Sequence, residues 1–210
     1  MKSQARGGTR WKRFAIVMVP SVAASGAVAV AIAQGALAAS FQVSGQQFQV
    51  TAGHIHGEGF TQYGSVDPNK KGPNPVAVVG LSDADISSLC QAVNVPTPFG
   101  EVGMTLKAGD GDTKVHAKGL YIDADDLQVR QAQFNDIDLG VAAGSTSKGP
   151  GISDGDRKKT SPDSFAQQAR SVDFDGVNQR AWATTAGSFT LPGLHMGVSL
   201  GHAECKVPGN

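Results

Sequence analysis

The sequence predicts an all-β domain of short, mainly antiparallel strands, preceded by an N-terminal apolar export helix. Beyond residue 40, apolar and polar residues alternate over short segments, as in strands with one buried face. The chain has 27 glycines, and several stand beside Asp between those segments, where turns are expected. We therefore expect one domain whose strands form a sandwich or an open, groove-like stack.

The N-terminal segment has the three parts of a secretory signal. Basic residues without any acid precede an apolar run over residues 14–33, and Ala36 and Ala38 then fit the small-residue pattern of a cleavage site. We expect residues 1–38 to be a signal peptide cleaved after Ala38 and residues 39–210 to be the exported domain. An uncleaved anchor is the alternative, because about 20 apolar residues can span a bilayer. Either way the domain is secreted or lies on the outer face of the cytoplasmic membrane.

The charge of the exported part disfavours nucleic acid as a partner. All 18 acidic residues follow residue 38, whereas five of the 18 Lys and Arg residues precede it, which leaves 18 acids against 13 bases. A nucleic-acid binder needs a basic surface that displaces counterions from phosphates. The chain also has no glycine-rich phosphate loop, so we predict no cofactor.

The two cysteines, Cys90 and Cys205, both lie in the exported part. An even number of cysteines outside the cytosol predicts one disulfide. A metal pair or a catalytic thiol is the alternative, but neither cysteine has the C-x-x-C spacing of such sites.

Alternation predicts the strands in order along the chain. Residues 102–106 and 113–117 alternate on either side of the AGDGD sequence at 108–112, which predicts a β-hairpin. Similar alternation recurs up to Leu200 and gives roughly ten candidate strands.

Two stretches have helical features, and two others are typical of loops. Ser82 and Asp85 fit a capping box ahead of Ile86, although the same residues also read as a strand. Residues 163–170 are compatible with a short helix. Residues 67–75, with three prolines, and residues 144–162, rich in Gly, Ser, Lys and Asp, predict surface loops.

Several blocks spread over the whole chain carry a resemblance to a known family. They are RGGTRWKRFA (6–15), AQGALAASF (33–41), GFTQYG (59–64), TLKAG (105–109), LYIDADDL (120–127), KGPGI (148–152), FAQQA (165–169) and AWATTAGSFTLPGL (181–194). Together they resemble a family of small exported proteins of Streptomyces and related actinobacteria, a domain of unknown function. The resemblance implies no established catalytic residues. Members of this family are sometimes labelled cholesterol esterase, so the resemblance implies ester hydrolysis as one expectation. Members also often occur beside a small polytopic membrane protein, which is therefore an expected partner.

A match to the G-x-S-x-G motif occurs at residues 197–201, with Ser199 at its centre and His202 directly after it. In α/β-hydrolases this motif forms a strand-to-helix elbow, and the acid and histidine follow later in the chain. Only nine residues follow Gly201, which leaves no room for the rest of that fold. Since the motif also lies within an alternating segment, we interpret it as strand, and Ser199 and His202 are weak catalytic candidates.

His54 and His56 are weak metal-ligand candidates. Their i, i+2 spacing places both on one face of a strand, where they could hold a divalent ion, but a catalytic zinc needs a third protein ligand. Acidic clusters at residues 110–112, 123–126 and 154–156 could bind calcium through oxygen atoms. Because Asp-Gly is also ordinary turn chemistry, we expect surface residues rather than metal sites.

The expected function is a non-catalytic binding or structural role in the cell envelope or outside the cell. A lipid or another hydrophobic ligand is the expected partner if the strands form an apolar groove. The alternatives are a secreted lipid or sterol ester hydrolase that uses Ser199, and an accessory subunit of a membrane protein. The sequence does not define the oligomeric state.

Overall fold

The computed structural model of the protein describes residues 46–69 and 72–208. Most of these residues form antiparallel β-strands, which confirms the predicted all-β class. The predicted signal segment, with Ala36 and Ala38, lies outside the described residues. None of the helical structure in the described part is long and apolar enough to cross a membrane.

Eight strands and one short 3-10 helix make up the described fold. They are β1 (Phe48–Asn69), β2 (Gly72–Ser87), β3 (Leu89–Thr97), β4 (Gly100–Ala108), β5 (Val115–Ala142), the 3-10 helix (Ala143–Ser145), β6 (Phe165–Thr185), β7 (Ser188–Thr190) and β8 (His195–Leu200). They are fewer and longer than the segments read from alternation, because single strands continue through local irregularities at glycines.

Four of the strands close into a ring. β5 pairs with β2 over residues 115–124 and with β6 over residues 121–142, while β1 pairs with both β2 and β6. Residues 121–124 are paired on both edges, so the ring closes there. β3, β4 and β8 extend the sheet outward from the start of β1, and β7 adds to β5.

The predicted hairpin around residues 108–112 is wrong. β2 and β3 form one nearly continuous line that is interrupted at Ser88, where φ is +51°. β4 pairs with β3 and β5 pairs with β2, so the chain continues along that line after the AGDGD loop instead of folding back. The hairpin in this region is β3–β4, which turns at Pro98 and Phe99.

Along the ring strands, the alternating set of side chains that points into the ring changes by one residue at a row of residues with positive φ. Gly59, Gly119 and Asp136 have φ values of +65°, +57° and +54°, and they occupy equivalent positions on β1 and on the two halves of β5. Before this row His54, His56 and Glu58 point outward; after it, positions 61, 63 and 65 point outward. A single phase of alternation therefore does not describe these strands.

Aromatic and aliphatic side chains fill the interior of the ring. Phe60, Phe134 and Phe174 pack edge to face, with ring centroids 5.3–6.4 Å apart. Leu81 and Leu120 are completely buried beside them. The core of the molecule is thus a packed hydrophobic cluster inside the ring.

Two segments cover parts of the outer surface. Residues 143–164 cover one end of β1, where Tyr63 is buried against Ala143 and Ala166. Residues 202–208 cover the other end, where the Gln49 side chain accepts a hydrogen bond from the backbone of Cys205. Between these two covers the outer surface of the ring is open to solvent.

Three further expectations about local structure are corrected. The possible helix after Ser82 is part of β2 and β3, and residues 165–170 belong to β6, because strand pairing prevails over weak local helical preference. Most of the loop predicted at 67–75 is the paired end of the β1–β2 hairpin. Residues 146–164 are a loop, as predicted, but the loop packs on the ring and buries Asp156.

Candidate functional site

A group of exposed apolar side chains lies on β8 and its neighbour β4. Met196, Val198 and Leu200 alternate along β8 and are 70%, 72% and 86% exposed, and Met104 of β4 pairs directly with Val198. Directly opposed residues of an antiparallel pair project to the same side of the sheet. We call Met104, Met196, Val198 and Leu200 the apolar face.

The apolar face continues the inner surface of the ring. One row of paired residues runs from Phe48 through Val93 and Met104 to Val198. Phe48 packs against the core, whereas Val198, at the other end of the row, is open to solvent. The opposite side of this extension is covered by the C-terminal segment, so its two sides differ in their exposure.

The predicted disulfide is present and anchors that C-terminal segment. Cys90 of β3 is joined to Cys205, and Ala92 and Ala203 pack beside the bond. A cleft of about 350 Å³ adjoins the disulfide, and its lining includes Lys107, Asp110 and Glu204. A second cleft, of about 310 Å³, is lined by Gln128, Arg130, Gly176, Asn178 and Val207. Charged and polar groups line both clefts, in contrast to an apolar lipid cavity.

Ser199 and His202 lie at the exposed end of the extension. Ser199 is an exposed residue of β8 paired with Gly103, and the chain continues past it to a bridge between Gly201 and Val102. His202 Nδ1 lies 3.5 Å from Glu101 Oε2. The sharp strand-to-helix turn that exposes a hydrolase nucleophile is therefore not formed by these residues.

Histidines and carboxylates face each other on the ring's outer surface, in the part that neither residues 143–164 nor residues 202–208 cover. Nδ1 of His54 lies 2.8 Å from Asp175 and its Nε2 lies 3.5 Å from Asp173. Nδ1 of His56 lies 2.7 Å from the same Asp173 oxygen, and its Nε2 lies 3.3 Å from Glu58. The hydrogen bond to Asp173 raises the pKa of His56, against a smaller opposing effect of burial.

A third histidine repeats this arrangement on the neighbouring strand pair. Nε2 of His116 on β5 lies 3.1 Å from Asp83 of β2, and its Nδ1 lies 2.9 Å from Asp85. Lys118 Nζ is 4.0 Å from Asp83. We call the three histidines, Glu58, the four aspartates and Lys118 the acid–histidine band.

The band is not built as a metal centre. His54 and His56 share a face of β1, as their spacing predicts, and Asp173 contacts both. However, no group of three or more His, Cys, Asp or Glu side chains within residues 46–69 and 72–208 is arranged to hold a metal ion. Each imidazole nitrogen instead faces a carboxylate oxygen.

A buried acidic cluster lies under the loop that covers the other end of β1. Asp67 is 1% exposed and Asp156 is 3% exposed, and Lys159 Nζ lies 3.0 Å from a carboxylate oxygen of each. Tyr63 and Ser65 donate hydrogen bonds to Asp156. The lysine is the counter-ion of this cluster.

Asp123 completes the cluster, and its carboxyl is a weaker acid there than an ordinary Asp. Burial, followed by the charges of Asp67 and Asp156, raises the pKa of Asp123 to about 7. Burial would also raise the pKa of Asp156, but hydrogen bonds from Ser153 and Lys159 hold it below its ordinary value. Two of the acidic stretches considered for calcium, at 123–126 and 154–156, thus meet around a lysine.

Sequence reasoning did not find the buried acidic cluster. Asp67 and Lys159 lie 92 positions apart, and both fall in segments that composition assigns to loops. No local spacing relates them, because the contact depends on how the 143–164 loop folds back onto β1. The acidic partners of His54 and His56 were missed for the same reason, since they lie on β6.

Comparison with known proteins identifies a family but no characterised relative. The matching family model is described as a family of unknown function (DUF6230), and the match covers residues 44–206. Neither the curated proteins nor the solved structures contain a match to the chain.

Proposed function

Since the chain belongs to this family of unknown function, DUF6230, we propose its role from geometry: an exported, non-catalytic binding protein that attaches to lipid surfaces through its apolar face. The observation that carries the proposal is the exposure of Met196, Val198 and Leu200 on one side of an edge strand. Contiguous exposed apolar patches of this kind are typical of interaction sites with proteins or membranes.

Lipid is favoured as the occupant by where the patch lies relative to the start of the domain. The apolar run of residues 14–33 ends shortly before Phe48, and Phe48 stands in the same row of paired residues as Val198. Three strand spacings of about 4.8 Å separate the two residues, so the chain enters the domain about 14 Å from the patch. This position would favour lipid in the alternative in which the export segment is not cleaved; after cleavage at Ala38, attachment would depend on the exposed side chains of the apolar face alone.

A surface site fits the packing better than an enclosed one. The interior of the ring is occupied by the Phe60, Phe134 and Phe174 cluster, and charged or polar side chains form part of the lining of both described clefts. We therefore propose attachment at the apolar face on β8 and β4 rather than an apolar groove for a single lipid.

We test the proposal by changing one position on each side of the same strand. Val198→Asp places a charge on the apolar face, and Ser199→Asp places the same charge on the other side as a matched control. Because burying a valine contributes about 1.5 kcal/mol, we expect Val198→Asp to weaken association with phosphatidylcholine–phosphatidylglycerol liposomes about tenfold. The measurement is liposome flotation of the exported, soluble chain.

Three outcomes would replace the proposal. Equal flotation of the two variants would show that the apolar face does not contact lipid. Ester hydrolysis by the exported chain that disappears in Ser199→Ala would assign the hydrolase function instead. Capture of a membrane protein without any lipid association would favour the accessory-subunit alternative.

A further inference from the structure

The three histidines of the acid–histidine band have more carboxylate partners than a neutral ring can satisfy. A neutral imidazole has one N–H donor and one nitrogen that only accepts hydrogen bonds. At His54, His56 and His116, both nitrogens lie within 3.5 Å of carboxylate oxygens, which also only accept when ionised. The geometry satisfies every partner only when each ring carries two protons.

Few other charges oppose those carboxylates. Five carboxylates from β1, β2 and β6 face the three rings, and the lysine paired with the band is Lys118. Arg130 of β5 lies over Gly176 at one end, and Arg170 of β6 pairs with Asp136 beyond the other end. With neutral histidines the band has a formal charge of −4, counting Lys118, and with three charged histidines it has −1.

We propose that the acid–histidine band is a proton-operated clamp on the outer surface of the ring. In mild acid each imidazolium bridges two carboxylates: His54 and His56 tie β1 to β6, and His116 ties β5 to β2. Loss of protons from the band at higher pH releases the bridges and leaves the five carboxylates opposed by Lys118.

The position of the bridges suits such a clamp. His116 spans the β2–β5 seam, one of the pairings that closes the ring, and Asp173 accepts from both His54 and His56 across the β1–β6 seam. These side chains are between 30% and 43% exposed, so protons exchange freely with solvent while the charges are only partly screened. The proposal is independent of lipid attachment.

The test compares unfolding midpoints of the full chain at pH 5 and pH 8. All variants carry Asp123→Asn, because Asp123 also makes the fold more stable in acid. We expect His54→Gln/His56→Gln/His116→Gln to lose more than half of the midpoint gain between pH 8 and pH 5. The control, His195→Gln/His202→Gln, removes two histidines outside the band and should retain that gain. Equal gains in both variants would overturn the proposal.

A second measurement applies even if the triple variant does not fold. NMR titration of the His56 ring should give a lower midpoint in Asp173→Asn than in the unmodified chain, because the bridging carboxylate is lost. A His56 midpoint that does not move would overturn the clamp.

Discussion

At the scale of the residue, Asp123 has an environment that opposes its own ionisation. It lies against the carboxylates of Asp67 and Asp156, and Lys159 contacts both of those residues. The Oδ2 atom of Asp67 is buried and accepts no hydrogen bond from another described group. A protonated Asp123 can donate a hydrogen bond to the Asp67 carboxylate, and an ionised Asp123 cannot.

The expected consequence is a fold that loses stability as the pH rises. An unfolded Asp ionises near pH 4, whereas Asp123 in the fold ionises near 7. Between these values the folded state holds the additional proton, so the free energy of unfolding falls with rising pH and is constant above about 7. Asp123→Asn keeps an N–H donor and removes the charge.

We therefore predict that Asp123→Asn stabilises the protein at pH 8 and flattens the pH dependence of unfolding between pH 4 and 7. The pKa change sets an upper limit of about 4 kcal/mol, and partial exposure reduces it. Urea unfolding at several pH values measures the effect, with Asp125→Asn as a neighbouring control. Destabilisation of Asp123→Asn at pH 8 would contradict this account.

Single residues were also where sequence reasoning was most limited. The i, i+2 spacing of His54 and His56 predicts a shared face, but not the carboxylates of β6 that face them. Local spacing contains no information on partners more than 100 positions away. The two cysteines were easier, because the chain has no other cysteine with which either could pair.

At the scale of the element, the disulfide holds the C-terminal segment over the start of β1. The bond closes a loop with a sequence separation of 115 residues. Thr51 donates a hydrogen bond to the backbone carbonyl of Lys206, and Gln49 accepts one from the backbone of Cys205. The C-terminal segment that covers these two residues is held in place by the disulfide.

We predict that Cys90→Ala/Cys205→Ala lowers the free energy of unfolding by about 4–5 kcal/mol, because the unfolded chain regains the entropy of an open loop. Urea unfolding under oxidising conditions measures the loss, and the unmodified chain in reductant is the matched control. A loss below about 1 kcal/mol would mean that the C-terminal contacts hold without the bond.

The elements show where alternation succeeds and where it fails. The period-two pattern correctly assigns strand to residues 102–106 and, within 113–117, to residues 115–117, but it cannot state which strands pair. The AGDGD sequence has good hairpin chemistry, yet β4 and β5 each find a partner along the continuous β2–β3 line. Pairing is decided by the whole sheet, and a local turn signal does not contain that information.

At the scale of the whole molecule, the ring and its extension by β3, β4 and β8 differ in what they do with apolar residues. The ring encloses the core, while β8 exposes on one side the kind of residue that the ring buries. The all-β class and antiparallel pairing were predictable from composition and alternation. Closure of the ring was not, because it depends on β5 pairing at both of its edges.

The processing of the N-terminus is a prediction for the whole chain. Ala36 and Ala38 predict cleavage after Ala38, so the exported protein should begin at Ala39. Intact-mass measurement of the exported protein tests this, with Ala36→Leu/Ala38→Leu as the uncleaved control. A mass that includes residues 1–38 in the membrane fraction would establish the anchor alternative.

The double pairing of the first residues of β1 has a mechanical consequence. Residues 48–51 are hydrogen-bonded to β3 on one edge and to β6 on the other. A pull on the chain ahead of Phe48, directed along β1, loads both ladders in parallel shear, so several hydrogen bonds must break together rather than one at a time. A domain held from this end would therefore unfold at a higher pulling force than one held by an edge strand, whose hydrogen bonds break one after another.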